Sequence, residues 1–314
     1  MKHLPAIALG TWSWGTGTAG GDQVFGNRLS AEQLKSVFDA AVKSGLNLWD
    51  TAAVYGMGSS EIIVGELAKS YDRQDLILST KFTPQVAGTS PDPVAEMLNG
   101  SFTRLNTDYI DIYWIHNPSD VARWTPGLLP LLKSGKVKSV GVSNHNLEQI
   151  RQANAILAAE GFGLSAVQNH YSLLYRSSED AGILDYCKAN NMTFFAYMVL
   201  EQGALSGKYN SRNPLPEGSG RAQTYNQVLP QLEELTDAMS AIGESKSASV
   251  AQIAMAWAVS KGTVPIIGVT KVPQVEEAAA AAKISLSEQE IAQLETLAAK
   301  AGVDTRGSWE EAMV

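Results

Sequence analysis

Short apolar or β-branched runs alternate with amphipathic stretches from one end of the chain to the other. That alternation predicts a parallel sheet whose strands are joined by helices. The first strand candidates are Ala6 to Leu9; Leu46 to Trp49, running into Asp50; Leu76 to Leu78, continuing through Ser79 and Thr80 to Lys81; and Tyr109 to Ile115, running into His116. Ser139 to Val142, Ala166 to Val167, Thr193 to Tyr197 and Val264 to Ile267 bring the set to eight. Polar or ionisable residues repeatedly fall at the C-terminal ends of these runs.

The intervening stretches carry helix punctuation. Ser30 with Gln33 three residues on is a capping-box pattern; Leu34, Val37, Phe38 and Ala41 follow at helical spacing, and Gly45 ends the helix. Further stripes run through Ile62, Gly65 and Glu66; Leu147, Ile150 and Ala153; Ile253, Ala256 and Trp257; and Val275, Ala278 and Ala279. All are read as core faces.

Eight such units predict an α/β protein, a (β/α)8 TIM barrel in one domain over residues 1–314, with its active site at the C-terminal face of the strands. A doubly wound sheet is the competing architecture, and it normally opens with a strand, G-x-G-x-x-G and a helix. Here Gly15 to Gly21 reads G-T-G-T-A-G-G and runs into D-Q-V-F-G, which is read as a flexible loop and no helix. Two connections are long, 117–127 and about 201–230, the second rich in Gly, Pro, Ser and Asn. Loops of that length serve as lids or binding loops, or stay partly disordered.

Composition narrows the function. With 24 Lys and Arg against 32 Asp and Glu, the net charge is −8, and no basic cluster offers a nucleic-acid surface. A phosphorylated small molecule is still compatible, because two or three local cations hold one. The single cysteine, Cys187 in I-L-D-Y-C-K, is read as a packed thiol, and no intrachain disulfide can form. The apolar run after Lys2 is broken by Pro5 and Gly10, too short for a signal peptide, and no stretch has the roughly 18 apolar residues of a membrane span. A cytoplasmic location is the expectation. His3, His145 and His170 form no metal-ligand spacing, so no metal is expected, and a G-x-S-x-G elbow is missing.

Carbonyl reduction without a metal needs a hydride donor and a positioned side-chain acid. A tyrosine suits that role once a neighbouring cation lowers its pKa, and a carboxylate can hold that cation. The strand ends supply the set: Asp50 and Tyr55 in D-T-A-A-V-Y-G, Lys81 in S-T-K-F and His116 in W-I-H-N-P. Taken singly, each has a structural explanation as a cap, a solvated lysine, a loop tyrosine or a buried histidine.

The segments G-L-N-L-W-D-T-A-A-V-Y-G-M-G-S-S-E-I-I-V-G and R-L-N-T-D-Y-I-D-I-Y-W-I-H, with G-V-S-N beyond, resemble two signatures of the aldo-keto reductase family. The resemblance implies an oxidoreductase of CH-OH groups in which Tyr55 donates the proton, Lys81 tunes it, Asp50 orients Lys81, and His116 orients the substrate carbonyl. It also implies NADP as cofactor. Ser143, Asn144 and Gln168 match the positions that bind the nicotinamide carboxamide, and Tyr197 the aromatic under its ring. Asp50 and Gly10, Thr11 and Trp12 are further cofactor positions.

In A-Y-M-V-L-E-Q-G-A-L-S-G-K-Y the usual S-P-L is absent: Met198 and Val199 depart, whereas Leu200, Gly203, Leu205, Gly207 and Lys208 fit. At the adenosine end Gly268, Thr270, Gln274 and Glu277 match, Ala278 replaces the usual asparagine, and Thr270 with Lys271 suits the 2′-phosphate. Arg221 resembles a further clamp.

Trp14, Tyr55, Trp114 and His116 are the expected substrate-binding residues, with Trp12 beside them; aromatic walls suit aromatic or apolar carbonyls. The expected function is NADPH-dependent reduction of aldehydes or ketones. A nicotinamide-binding regulatory subunit with negligible turnover, and an alcohol or sugar dehydrogenase working in the oxidising direction, stand as alternatives. Partners are expected to be small molecules, with neither nucleic acid nor membrane; oligomeric state is not readable.

Overall fold

The structure, a computed structural model, describes residues 2–313. Eight parallel strands close into a barrel in sequence order: β1 (Ala8–Gly10), β2 (Leu48–Asp50), β3 (Ile77–Phe82), β4 (Ile110–Ile115), β5 (Val137–Ser143), β6 (Ala166–His170), β7 (Thr193–Tyr197) and β8 (Val264–Gly268). The seam is closed by β1 on β8, with Leu9 opposite Ile267. Every predicted strand is present. β6 runs on beyond Val167 through Gln168, Asn169 and His170, polar residues that an apolar-run criterion leaves out.

Strand side chains alternate between the lumen and the helix layer, and this places the site. Leu48, Ile77, Ile112, Trp114, Ala166 and Phe195 pack together as an apolar plug inside the barrel. Two residues beyond Leu48 and Ile77 come Asp50 and Ser79, and two beyond Ser79 comes Lys81. These polar residues therefore rise from the plug toward the C-terminal mouth. The outward residues of the same strands, such as Trp49, Leu78, Phe82, Tyr113 and Ile115, pack beneath the helices.

The helix Ala31–Lys43 has the predicted capping box, with Gln33 N–H donating to Ser30 Oγ and Ser30 N–H to Gln33 Oε1, and it buries Leu34, Val37, Phe38 and Ala41. Other readings are corrected. Gly21–Val24 forms one helical turn where only loop was expected. Connection 117–127 holds the short helix Val121–Trp124. Connection 201–230 contains the helix Gly220–Tyr225 and packs Ala204, Leu215, Ala222, Tyr225 and Leu229 into an apolar cluster with Leu232 of the following helix, so it is an ordered cover. Cys187 is buried, and burial pushes its thiol up to about 12, as fits a packed, unreactive residue. Among the described residues no helix is long and apolar enough to cross a membrane.

The helix Ser59–Ala68 is rotated relative to the stripe read from sequence. Ile62 is 52% exposed, whereas Glu61, Val64 and Gly65 are buried. Gly65 permits this phase, because a Cβ there would stand 2.2 Å from the carbonyl oxygen of Arg104. Glu61 accepts from Arg104 Nε at 2.6 Å and from Thr80 Oγ1 at 2.5 Å, tying two helices to β3. Glu61→Ala is expected to lower the unfolding free energy by about 3 kcal/mol, measured by urea denaturation, because it strands a buried hydroxyl and breaks a largely desolvated pair. A loss under half that size would show that water replaces the carboxylate at no great cost.

Candidate active site

A cavity of about 960 Å³ opens over the C-terminal ends of the strands. At its floor Lys81 Nζ lies 2.5 Å from Asp50 Oδ2, 2.8 Å from Thr51 O and 3.4 Å from the Tyr55 hydroxyl. Asp50 Oδ1 accepts from Ser79 Oγ at 2.7 Å and Gln168 Nε2 at 3.2 Å. The carboxylate is thus fixed on both oxygens. Tyr55 and His116 meet edge to face with ring centroids 5.9 Å apart, and His116 Nδ1 is 2.8 Å from Thr83 Oγ1. Asp50, Tyr55 and His116 line the cavity, while Lys81 sits fully buried behind them.

The electrostatics assign protonation states. Burial would depress the Lys81 ammonium, but Asp50 and then Tyr55 outweigh it and hold its pKa above the ordinary value. Tyr55 is raised, because burial outweighs the opposing pull of Lys81. The expected lowering by the cation is therefore real as a contribution and reversed in the sum. His116 is held well below its ordinary value by burial and by Lys81, so its imidazole is neutral. A neutral ring keeps one nitrogen as donor and one as acceptor.

The positions expected around a dinucleotide line this cavity, apart from Leu205 and Gly207 in the stretch after Tyr197. Gly10, Thr11 and Trp12 follow β1 along one wall. Ser143 and Tyr197 end β5 and β7, Asn144 follows β5, and Gln168 lies in β6; all four line the cavity. Asn144 takes a left-handed φ of 61° and its Nδ2 donates to His116 O, which ties the amide to the tetrad. Met198, Leu200, Gly203, Lys208 and Arg221 form the covering side. At the far end lie Gly268, Thr270, Lys271, Gln274 and Glu277, where Gln274 Oε1 accepts from the N–H groups of Thr270 and Lys271.

Trp14 and Trp114 are corrected: neither reaches the cavity. Trp14 is buried against Trp49 at 5.1 Å and donates its Nε1 to Val269 O. Trp114 belongs to the apolar plug, one inward layer below His116, with Nε1 donating to Ser79 Oγ at 2.6 Å. The aromatic walls near the tetrad are instead Trp12, which stacks on Tyr55 at 6.0 Å, Phe25 and Trp309. Sequence reasoning passed over Trp309, and nothing in its local pattern marks it. It also passed over Thr83, whose place one residue beyond β3 was the available signal.

The donor set fits a nicotinamide dinucleotide phosphate. Side-chain amides converge near the tetrad, while three cations, Lys208, Arg221 and Lys271, lie along the covering side and far end. Arg221 Nε is buried with no hydrogen-bond partner, a group awaiting an anion. Among the described residues no cluster of His, Cys, Asp or Glu could hold a metal.

Residues 6–299 match the aldo/keto reductase family. The chain is 31% identical to the chloroplastic pyridoxal reductase of Arabidopsis thaliana over 92% of its own length and 82% of that protein's. It is 32% identical to the aldo-keto reductase str7 of Strobilurus tenacellus, over 92% and 88%. Among solved structures it resembles an aldo-keto reductase from Klebsiella pneumoniae in complex with NADPH, with 26% identity, a TM-score of 0.73 and coverage of 94% and 91%. A barrel with this tetrad at its mouth, matched along nearly its whole length, makes the chain a member of the aldo/keto reductase family.

Proposed function

We propose that this chain reduces aldehydes or ketones to alcohols with NADPH, with Tyr55 as proton donor, working as one domain. The observation that carries the reading is the Tyr55 hydroxyl, 3.4 Å from a buried, carboxylate-paired ammonium and facing a cavity with His116 beside it. The NADPH complex of the Klebsiella relative supports the cofactor, and so do the residues here. Ser143, Asn144 and Gln168 would hold the carboxamide, Tyr197 would support the ring, Lys208 and Arg221 would hold the pyrophosphate, and Thr270 with Lys271 would take the 2′-phosphate. Bound there, the nicotinamide supplies the hydride.

The chain's own residues do the rest. Neutral His116 offers a ring N–H to the carbonyl oxygen, holding it near Tyr55. As negative charge develops on that oxygen, the Tyr55 hydroxyl proton moves to it, and the Lys81 ammonium stabilises the phenolate left behind. Asp50 keeps Lys81 charged without taking the site's proton. A Tyr55 pKa above its ordinary value keeps the hydroxyl protonated at neutral pH, as a proton donor requires.

Mixing the protein with NADPH and a panel of aldehydes should oxidise the cofactor; tight NADPH binding with no turnover on any of them would contradict the reading and favour a regulatory role. Lys271→Ala should raise the KM for NADPH by about tenfold and that for NADH by less than about threefold, since a charge-assisted contact to phosphate is lost only with the first. Equal effects on both cofactors would remove Lys271 from the 2′-phosphate.

A further inference from the structure

The mechanism leaves one buried ionisable cluster unused. His170, at the end of β6, is almost fully buried, and both its ring nitrogens meet carboxylates: Nε2 lies 2.9 Å from Glu201 Oε1 and Nδ1 lies 3.0 Å from Glu310 Oε1. Carboxylates only accept, so this geometry requires both nitrogens to donate and the ring to be an imidazolium. The ring is also stacked between Tyr175, at 4.3 Å, and Tyr197, at 5.6 Å.

Each carboxylate leads somewhere. Glu201 sits in the loop that follows the nicotinamide platform, at a left-handed φ of 46°, and its oxygens also accept from Ser172, Tyr225 and Thr305. Glu310 belongs to the C-terminal segment. It accepts from the Tyr197 hydroxyl at 2.8 Å, and its neighbour Trp309 lines the cavity, 48% exposed, edge-on to Trp12 at 5.9 Å. Farther along, Met313 is buried, with its sulfur 3.5 Å from Asn169 Nδ2. The segment has no secondary structure of its own to fix it.

We propose that His170 is the pin that fastens the C-terminal segment into the barrel mouth, so that Trp309 is held as a wall of the substrate end of the cavity, opposite Trp12, for flat aromatic carbonyls. This rests on the carbonyl-reductase reading for its substrate, though not for the pin. His170 and Glu310 are positioning residues: they act through Tyr197 and Trp309. Burial alone would depress the pKa of His170, but Glu201 and Glu310 push it up to about 9. The groups facing it are these two carboxylates, Tyr175 and Tyr197 on its ring faces, and Tyr225 through Glu201, with Asp304 and Arg306 near Tyr175. A raised folded-state pKa means that the pin stabilises fully below the ordinary value of 6.5 and is lost as pH rises through about 9.

The test combines Glu310→Gln, Trp309→Ala, the variant carrying both, and the wild type, with NADPH and two substrates, benzaldehyde and propanal. The KM ratio of benzaldehyde to propanal should rise about tenfold in each variant, as expected when aromatic stacking and burial are lost, with little further change in the double variant. In the wild type the ratio should climb as pH passes about 9, and in Glu310→Gln it should stay flat. Hydrogen exchange of 305–313 supplies a readout free of activity: protection should fall in Glu310→Gln at neutral pH, and in the wild type above about pH 9. Unchanged protection, or a wild-type KM ratio in Glu310→Gln, would overturn the pin; the pH arm needs no variant to fold. Absence of turnover with normal protection shifts would sink the carbonyl-reductase reading and leave the pin supported.

Discussion

Replacing Tyr55 with phenylalanine is expected to lower kcat for NADPH-dependent carbonyl reduction by about 10³-fold, while the Kd for NADPH changes by less than about threefold. The substitution removes one oxygen. The ring, its stack on Trp12 and its edge contact with His116 all survive, so the cavity keeps its shape. What disappears is the only donor, among the described residues, that stands both at the cavity wall and beside the Lys81 ammonium. His116 does not replace it, because burial and Lys81 hold it neutral and disfavour the charge it would carry as an acid. Since the Tyr55 pKa lies above its ordinary 10.0, wild-type kcat should hold level through neutral pH and decline only above about pH 10. A variant retaining more than about a tenth of the wild-type kcat would remove Tyr55 from the proton transfer.

The second large effect is on stability. Asp50→Asn should lower the unfolding free energy by about 3 kcal/mol, the low end for breaking a buried ion pair, because Thr51 O and Tyr55 still receive the Lys81 ammonium. The change is isosteric, but Lys81, Ser79 and Gln168 all donate to the carboxylate, so the new amide NH2 faces a donor and the cost is a lost hydrogen bond as well as a lost charge. With the carboxylate charge gone, burial dominates at Lys81 and its pKa should fall, reversing the direction set by Asp50. In the wild type the raised Lys81 pKa stabilises the fold below the ordinary 10.5 and that contribution is lost as pH rises past it. Adding Lys81→Met to Asp50→Asn should restore part of the loss, since it removes the stranded charge. Urea denaturation of the two single variants and the double measures the coupling; strict additivity would mean that the pair is not coupled in the fold.

Asp50 and Lys81 were legible in sequence because they interrupt otherwise apolar strands, and a buried strand admits polar residues only where they find partners. His116 follows β4 directly, whereas Tyr55, five residues beyond β2, was marked by the family signature around it. Asp50, Ser79 and Lys81 follow the inward register of Leu48 and Ile77, so the same alternation that predicts the barrel also sends them up the lumen. The same rule was available for Trp114, which sits two residues before His116 and therefore one layer deeper; its aromatic character suggested a wall and its register makes it plug. Trp14 gave no such signal, because its partner, Val269, lies 255 positions away. On the helix Ser59–Ala68, buried Glu61 breaks the apolar stripe, and the phase was read from Ile62 instead.

The C-terminal segment was illegible for a related reason. T-R-G-S-W-E-E-A-M-V has no periodicity, and its anchors are long-range: the Glu310 ion pair with His170, 140 positions earlier, the Thr305 hydrogen bond to Glu201, and buried Met313 against Asn169. A histidine between two carboxylates leaves no local trace in either place. Long-range pairing of this sort is visible only once the barrel has brought β6 and β7 to the same mouth.

The central claim is that this barrel mouth passes a hydride from nicotinamide to a carbonyl carbon while Tyr55 protonates the oxygen. The most direct measurement uses NADPH carrying deuterium at both positions of its transferring carbon, with benzaldehyde as substrate and mass spectrometry of the product. The account predicts benzyl alcohol with a single deuteron on the former carbonyl carbon, formed by the wild type and nearly lost in Tyr55→Phe. Unlabelled alcohol, or labelled alcohol formed equally well without the Tyr55 hydroxyl, would contradict it.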